Sequence, residues 1–275
     1  MIGIAVAFLI FLLLLFWGLR WFEHAVTFHP VRYDGSAAWN LPDHAQDVWL
    51  TTADGVRLHG WFFETEEAAL ATVIYFHGNG GNLSNVGWVG ERLSKRGFEV
   101  LLLDYRGYGR SEGRMDGEVG LYADGDSGYE YVTKTRGVKA SKVVLFGQSL
   151  GTAVATDLAS RRECGAVILE SGFSSASDLA SNVFPWIPSR LHFLAKNRFD
   201  SSRKLSQARC PVLITHGEPD EVIPTEQARL LFSAAKEPKK LLVFPGAGHN
   251  VFGSQGDLYL DAVVDFASKA FSSGH

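Results

Sequence analysis

The chain has 275 residues, 46% of them apolar and 20% charged, with a formal net charge of −4. This is the balance of an ordinary globular protein with room for one large α/β domain or two small ones. The negative charge argues against nucleic acid as a partner, since that binding leans on clustered Lys and Arg. Two cysteines, Cys164 and Cys210, are too few for a disulfide framework; both precede apolar runs and are read as buried free thiols.

From Ile2 to Leu19 the sequence carries no charge. As a helix this run spans about 27 Å, close to the thickness of a bilayer core, and Trp17, Trp21 and Phe22 fall where an interfacial aromatic belt would lie. No basic residue precedes the run and no A-x-A site follows it, which argues against a cleaved signal peptide. Nor is there a polar face, as an in-plane amphipathic helix requires. The expectation is a single transmembrane anchor at 2–19. Arg20 and Arg32 lie after the span and only the α-amino group before it, so the positive-inside bias puts the remainder of the chain in the cytoplasm. Residues 20–47, punctuated by Pro30, Gly35 and Pro42, read as a connector.

Val48–Thr52 and Val56–Phe63 flank Ala53-Asp54-Gly55, a hairpin signal. Short apolar runs then alternate with helical segments. The strands are expected at Thr72–Phe76, Val100–Asp104, Val143–Phe146, Ala166–Glu170, Val212–Thr215 and Leu241–Phe244. The helices are expected at Val86–Arg96, Leu121–Arg136, Leu150–Arg162, Thr225–Ala235 and Leu258–Ala270. Such alternation predicts an α/β fold: a mostly parallel central sheet with helices on both faces and the hairpin at one edge. The interval 172–209 breaks the rhythm with Ser-rich turns, Pro185, Pro188 and the apolar residues Phe184, Trp186, Ile187, Leu191, Phe193 and Leu194. It is read as a small cap inserted in a domain spanning 48–271.

The chemistry concentrates at strand ends. Gly147-Gln148-Ser149-Leu150-Gly151 has the G-x-S-x-G pattern of a nucleophile elbow, placed between a buried strand and a helix. Gly109-Arg110-Ser111-Glu112-Gly113 matches the same pattern, but it lies several loop residues past a strand and leads into a polar, Gly-broken stretch, so Ser111 is read as structural. A serine hydroxyl needs a neighbouring base, and that base needs a carboxylate to fix its tautomer. Asp220 and His249 each follow a later strand on a loop, in the order Ser, Asp, His. Glu170, ending a strand, is the alternative acid. Of the nine histidines, His77 and His216 are the other candidate bases; each precedes a Gly at a strand end, where a histidine more often holds a loop. The turn His77-Gly78-Asn79-Gly80-Gly81-Asn82 can aim a backbone N–H at the reacting carbon. Asn79, with Gly80 as its neighbouring alternative, is assigned as the oxyanion donor together with the Leu150 N–H. No metal or cofactor is called for.

Six stretches carry a resemblance: HGNGGN (77–82), LDYRGYGRSEG (103–113), GQSLGT (147–152), LESGFSS (169–175), HGEPDEVIP (216–224) and GAGHN (246–250). With them the chain resembles the α/β-hydrolase superfamily, and within it the BEM46-like, ABHD-type membrane-anchored serine hydrolases that are sometimes grouped with S9 or S33 peptidases. The resemblance implies Ser149, Asp220 and His249 as a catalytic triad and Asn79 and Leu150 as oxyanion donors, and makes Asp104–Gly109 a loop-shaping element. It implies hydrolysis of carboxylic esters or thioesters through an acyl-enzyme. The apolar anchor and cap add the expectation of small or lipid-like acyl substrates. The alternatives are a peptidase or amidase with the same residues, and a membrane-tethered binding module without activity.

Overall fold

The computed structural model describes residues 2–35, 39–65 and 68–272. Residues 36–38 of the expected connector and 66–67 of the expected catalytic region lie outside the described residues. Strands β1 (Ala45–Thr51), β2 (Arg57–Phe63), β3 (Ala71–Phe76), β4 (Phe98–Leu103), β5 (Val143–Gln148), β6 (Ala166–Glu170), β7 (Val212–Gly217) and β8 (Lys239–Phe244) form one sheet. Their spatial order is β1-β2-β4-β3-β5-β6-β7-β8. Only β2 runs against its neighbours, pairing antiparallel with β1 and β4; the other pairings are parallel.

The central strands are buried on both faces, which is why they read as continuous apolar runs rather than alternating ones. Alternate residues serve opposite layers. Val73 and Tyr75 of β3, Val144 and Phe146 of β5, and Leu213 of β7 pack in one layer with α2 (Leu83–Ser94) and α8 (Asp257–Ser272). Ile74 and Phe76, Val143 and Leu145, and Ile214 face the other layer, with α3 (Glu118–Glu130), α4 (Gly151–Arg161) and α7 (Glu226–Ala234). Each fully buried Phe or Leu in these layers stabilises by about 1.5–3 kcal/mol relative to exposure. The expected strands and helices are all present, many of them longer by one to three residues at an end, while the helices expected over 150–162 and 225–235 are each one residue shorter at both ends. The exception is the helix expected over Leu121–Arg136, where α3 stops at Glu130 and the chain continues through a wide, π-type turn at Tyr131–Thr135.

The apolar amino-terminal run forms α1 (Ile2–Thr27). It is long and apolar enough to cross a membrane, and none of the residues of its Leu9–Thr27 stretch is fully buried. The helix does not stop at Leu19, where the connector was expected to begin. Arg20 and Glu23 continue it as an i,i+3 ion pair at 3.1 Å, and both reach the body of the molecule. Glu23 accepts the N–H groups of Lys196 (3.0 Å) and Asn197 (2.7 Å) and the Asn197 amide (2.8 Å), while Arg20 donates to the Leu194 carbonyl. Beyond α1, Phe28 is buried against Phe199. Residues 29–33 then lie along the loops that follow β3 and β4, pairing His29 and Pro30 in parallel with Gly80 and Gly81. Residues 20–33, the first part of the expected connector, are therefore docked on the body of the molecule.

Between Gly172 and Arg209 the described residues form no strand. The interval holds α5 (Ala176–Val183), a 3₁₀ segment at Ser189–Leu194 and α6 (Ser201–Leu205). Trp186 (73% exposed) and Phe193 (66%) point to solvent at its tip.

Candidate active site

The site forms at the carboxyl ends of β3, β5, β7 and β8, the crevice position of an open parallel sheet. Ser149 sits one residue past β5 with φ +52°, a left-handed conformation that an L-residue adopts only when its surroundings impose it. The surroundings are tight. A Cβ at Gly151 would overlap the Phe76 carbonyl oxygen, so the start of α4 can press against the end of β3 only with glycine there. The Ser149 N–H is held by the Glu170 carbonyl at 2.9 Å, and the Ser149 carbonyl accepts from Thr152 N at 3.0 Å. The result is a half-buried hydroxyl on a rigid turn facing the cleft, with the unpaired N–H end of a helix beneath it.

Three side chains expected from the sequence meet here. His249 Nε2 lies 3.0 Å from Ser149 Oγ. His249 Nδ1 lies 2.9 Å from Asp220 Oδ2 and 3.1 Å from Oδ1. With Nδ1–H donating to the carboxylate, Nε2 is left as the acceptor facing the serine. The two loops approach because residue 217 is glycine: a Cβ there would collide with the carbonyls of Ala247 and Gly248.

Asp220 is prepared to stay ionised. Burial pushes its carboxyl up, but hydrogen bonds from His216 and His249 and from the backbone N–H groups of Ile223 and Val222 outweigh that and hold it well below the usual carboxylate range. Those backbone bonds are 2.9 and 2.8 Å. His216 Nε2 lies 3.1 Å from Asp220 Oδ2 and 2.8 Å from the Ile223 carbonyl, so this histidine braces the Asp220 carboxylate. His77 likewise holds its loop, with Nδ1 on the Gly78 carbonyl at 2.7 Å.

Glu170, the alternative acid, is not the partner of His249. Its carboxyl lies in the core beneath the His249 loop, where Oε1 accepts the Phe252 N–H at 3.0 Å. Burial pushes its pKa up to about 7 despite that bond. Ser111 is fully buried, donating to the Asp104 carbonyl (2.7 Å) and accepting from His59 N (2.9 Å), so the second G-x-S-x-G is a structural latch.

The 77–82 turn lies beside Ser149. Together Gly78, Asn79, Gly80, Gln148, Ser149, Val222, His249 and Asn250, with Tyr75, Asn85, Val86 and Trp88, line a cleft of about 420 Å³. The Leu150 N–H precedes the first turn of α4, among the N–H groups a helix cannot satisfy internally. Asn79 brings something the sequence reading missed. Its Oδ1 accepts from His29 N (3.0 Å) and from Tyr108 OH (3.1 Å), and its Nδ2 lies 2.8 Å from His29 Nδ1. Nothing local in the sequence signals a bond between residues 29 and 79. Among the described residues no three His, Cys, Asp or Glu side chains gather as a metal site.

Comparison with known proteins bears on the family and the fold. The profile of the family described as serine aminopeptidase, S33, matches residues 67–203. An uncharacterized protein of Mycobacterium tuberculosis is 37% identical over 236 residues, covering 85% of this chain and 83% of its own. Protein bem46 of Schizosaccharomyces pombe is 34% identical over 237 residues, covering 81% of this chain and 76% of its own. The α/β hydrolase domain-containing protein WAV2 of Arabidopsis thaliana is 30% identical over 243 residues, covering 82% and 79%. Among solved structures, the esterase Pf2001 of Pyrococcus furiosus superposes with a TM-score of 0.71 at 22% identity, covering 88% of this chain and 97% of that one. At that identity the likeness speaks for the fold.

Proposed function

Because this chain belongs to the α/β-hydrolase family, together with the bem46 and WAV2 proteins, we propose that it is a serine hydrolase cleaving carboxylic esters or thioesters through an acyl-enzyme. The observation that carries the reading is the continuous relay from Ser149 Oγ through His249 to Asp220, at 3.0 and 2.9 Å. His249 Nε2 takes the hydroxyl proton as Ser149 attacks the acyl carbon, and Asp220 stabilises the imidazolium that forms. The N–H groups of Asn79 and Leu150 receive the charge that develops on the carbonyl oxygen. His249 then returns its proton to the departing alcohol or thiol, and in the second half it activates water to release the acid.

The domain reading that accompanies this is an anchor at 2–19, a catalytic domain at 48–271 and a cap at 172–209. The catalytic domain lies on the cytoplasmic side, for the charge bias across α1. Tyr75, Val86, Trp88 and Val222 on the cleft wall favour an apolar, lipid-like acyl group. The S33 aminopeptidase description of the matching family favours a second reading, amide cleavage by the same residues. The test is labelling by a fluorophosphonate and turnover of p-nitrophenyl esters across an acyl-length series, with aminoacyl anilides in parallel. Ser149→Ala is expected to abolish labelling and ester turnover; unchanged turnover in that variant refutes the proposal, and faster anilide than ester turnover moves it to the second reading.

A further inference from the structure

The turn that carries Asn79 has glycine at 78, 80 and 81, so its own residues do little to restrict the backbone. An oxyanion donor is effective only if it is already aimed when charge develops. Something must therefore hold this turn. The structure points to the segment directly after α1. The His29 main-chain N–H is an obligate donor, and its acceptor is Asn79 Oδ1 at 3.0 Å. That fixes the orientation of the amide, because the NH₂ end could not accept this bond. Asn79 Nδ2 is then the donor facing His29 Nδ1 at 2.8 Å, so the ring carries its proton on Nε2 and accepts at Nδ1. Tyr108 OH supplies a third bond to the same amide at 3.1 Å.

The holder is itself anchored at both ends. On one side Phe28 is 3% exposed and packs on Phe199. On the other, Arg32 donates from its two terminal nitrogens to the carbonyls of Ser111 (2.9 Å) and Gly113 (2.6 Å). Between them the Val31 carbonyl accepts from Gly109 N (2.8 Å) and the Asn82 amide (3.2 Å). Residues 28–32 are thus a strap stretched from the end of α1 across the loops at the carboxyl ends of β3 and β4.

We infer that His29 is a positioning residue for the hydrolytic site, acting through the Asn79 side chain to keep the Asn79 N–H aimed at the developing oxyanion. This rests on the serine-hydrolase reading above. It makes the segment between the apolar helix and the sheet a part of the active site, so a protein trimmed to begin at β1 loses a piece of its catalytic machinery.

The experiment uses the full-length protein in detergent, with turnover normalised to the serines labelled by a fluorophosphonate. His29→Ala removes the ring acceptor and keeps the main-chain bond. It is expected to lower kcat by about tenfold, a fraction of the 10²–10³ that follows loss of a whole donor, with KM within about twofold. The Ki of an arylboronic acid, whose oxygen occupies the oxyanion position, is expected to rise by the same factor. His29→Gln, which can still accept from Asn79 Nδ2, is expected to recover most of the loss. Asn79→Ala keeps the backbone N–H and is expected to resemble His29→Ala, and the double variant to be no worse than either single one. A merely structural His29 would change the labelled fraction or the melting temperature and leave kcat per labelled serine and the boronate Ki unmoved. That result, or additive losses in the double variant, overturns the inference. Ester turnover that survives Ser149→Ala overturns the serine-hydrolase reading first, and the two failures are told apart by that control.

Discussion

Two regions of this molecule are built on different principles. At the carboxyl ends of β5, β7 and β8, each side chain of the relay stands one to five residues past a strand, and backbone sterics fix where it goes. Ser149 has one conformation open to it because Gly151 lies against Phe76 and its own N–H is tied to Glu170. The amino-terminal segment and the 172–209 interval hold together otherwise. Glu23 reaches Lys196 and Asn197, Arg20 reaches Leu194, His29 reaches Asn79, and Arg32 reaches Ser111 and Gly113. All of these bond polar groups that are distant in sequence. The first region is local chemistry repeated at neighbouring strand ends; the second is one long-range network. Changes in the first should therefore strike rate with the fold intact, and changes in the second should strike stability or alignment.

The sharpest way to break that contrast is Asp220→Asn. The amide cannot serve both as acceptor for His249 Nδ1–H and as acceptor for His216 and the backbone N–H groups of Val222 and Ile223. The imidazole loses its fixed tautomer, and kcat for an ester is expected to fall by about 10³–10⁴. If Glu170 were the working acid, Asp220→Asn would retain most of its turnover and Glu170→Gln would lose it.

Glu170→Gln itself should act on stability. Burial raises this carboxyl from 4.5 to about 7. In the unfolded chain it ionises near its ordinary value, in the fold only near neutrality. Its contribution to native stability is therefore full below about pH 4.5 and is lost as pH rises to about 7. The loss is on the order of 3 kcal/mol at and above neutral pH. Denaturant midpoints measured from pH 4.5 to 8 should fall more steeply in the wild type than in Glu170→Gln. Parallel profiles would mean that the carboxyl ionises inside the fold at no cost.

On the other side of the contrast, Glu23→Ala leaves two backbone N–H groups and one amide of residues 196–197 without their acceptor. The expected loss is about 2–3 kcal/mol, read as a lower thermal midpoint in detergent. Turnover per labelled serine should be unchanged, since Glu23 bonds to residues outside the cleft. A rate loss with no change in midpoint would merge the two regions into one.

The contrast also explains what could be read in advance. The turn at Ser149 and the strand-end positions of Asp220 and His249 were legible in the sequence, since a buried strand followed by a turn residue is a local pattern. Gly217 gave no such notice, because its need for a missing Cβ comes from Ala247 and Gly248 in another loop. Element ends slipped for physical reasons. Lys239 and Lys240 belong to β8 although they break its apolar run, and lysine suits a strand at the sheet edge. The first turn of α2 begins at Leu83, not Val86, because Asn82 and Asn85 cap it reciprocally. Arg20 looked like the end of α1 and is instead inside it, because Glu23 pairs with it and Leu194 accepts from it. Contacts between residues 23 and 197, or 29 and 79, leave no mark in either neighbourhood.

The smallest expected effect tests the exposed tip of the 172–209 interval. Trp186 is 73% exposed, and among the described rings it touches Phe184. Replacing so exposed a side chain should alter stability by no more than about 0.5 kcal/mol. Trp186→Ser should then melt with the wild type and turn over a short, soluble ester at the wild-type rate. Any deficit confined to a long-chain ester presented in vesicles must come from what the tip touches during turnover, since neither the fold nor the relay has changed. Such a split assigns 172–209 a working role as the cap. Equal rates on both substrates reduce it to a surface excursion between β6 and β7 and leave acyl selection to the walls of the Ser149 cleft.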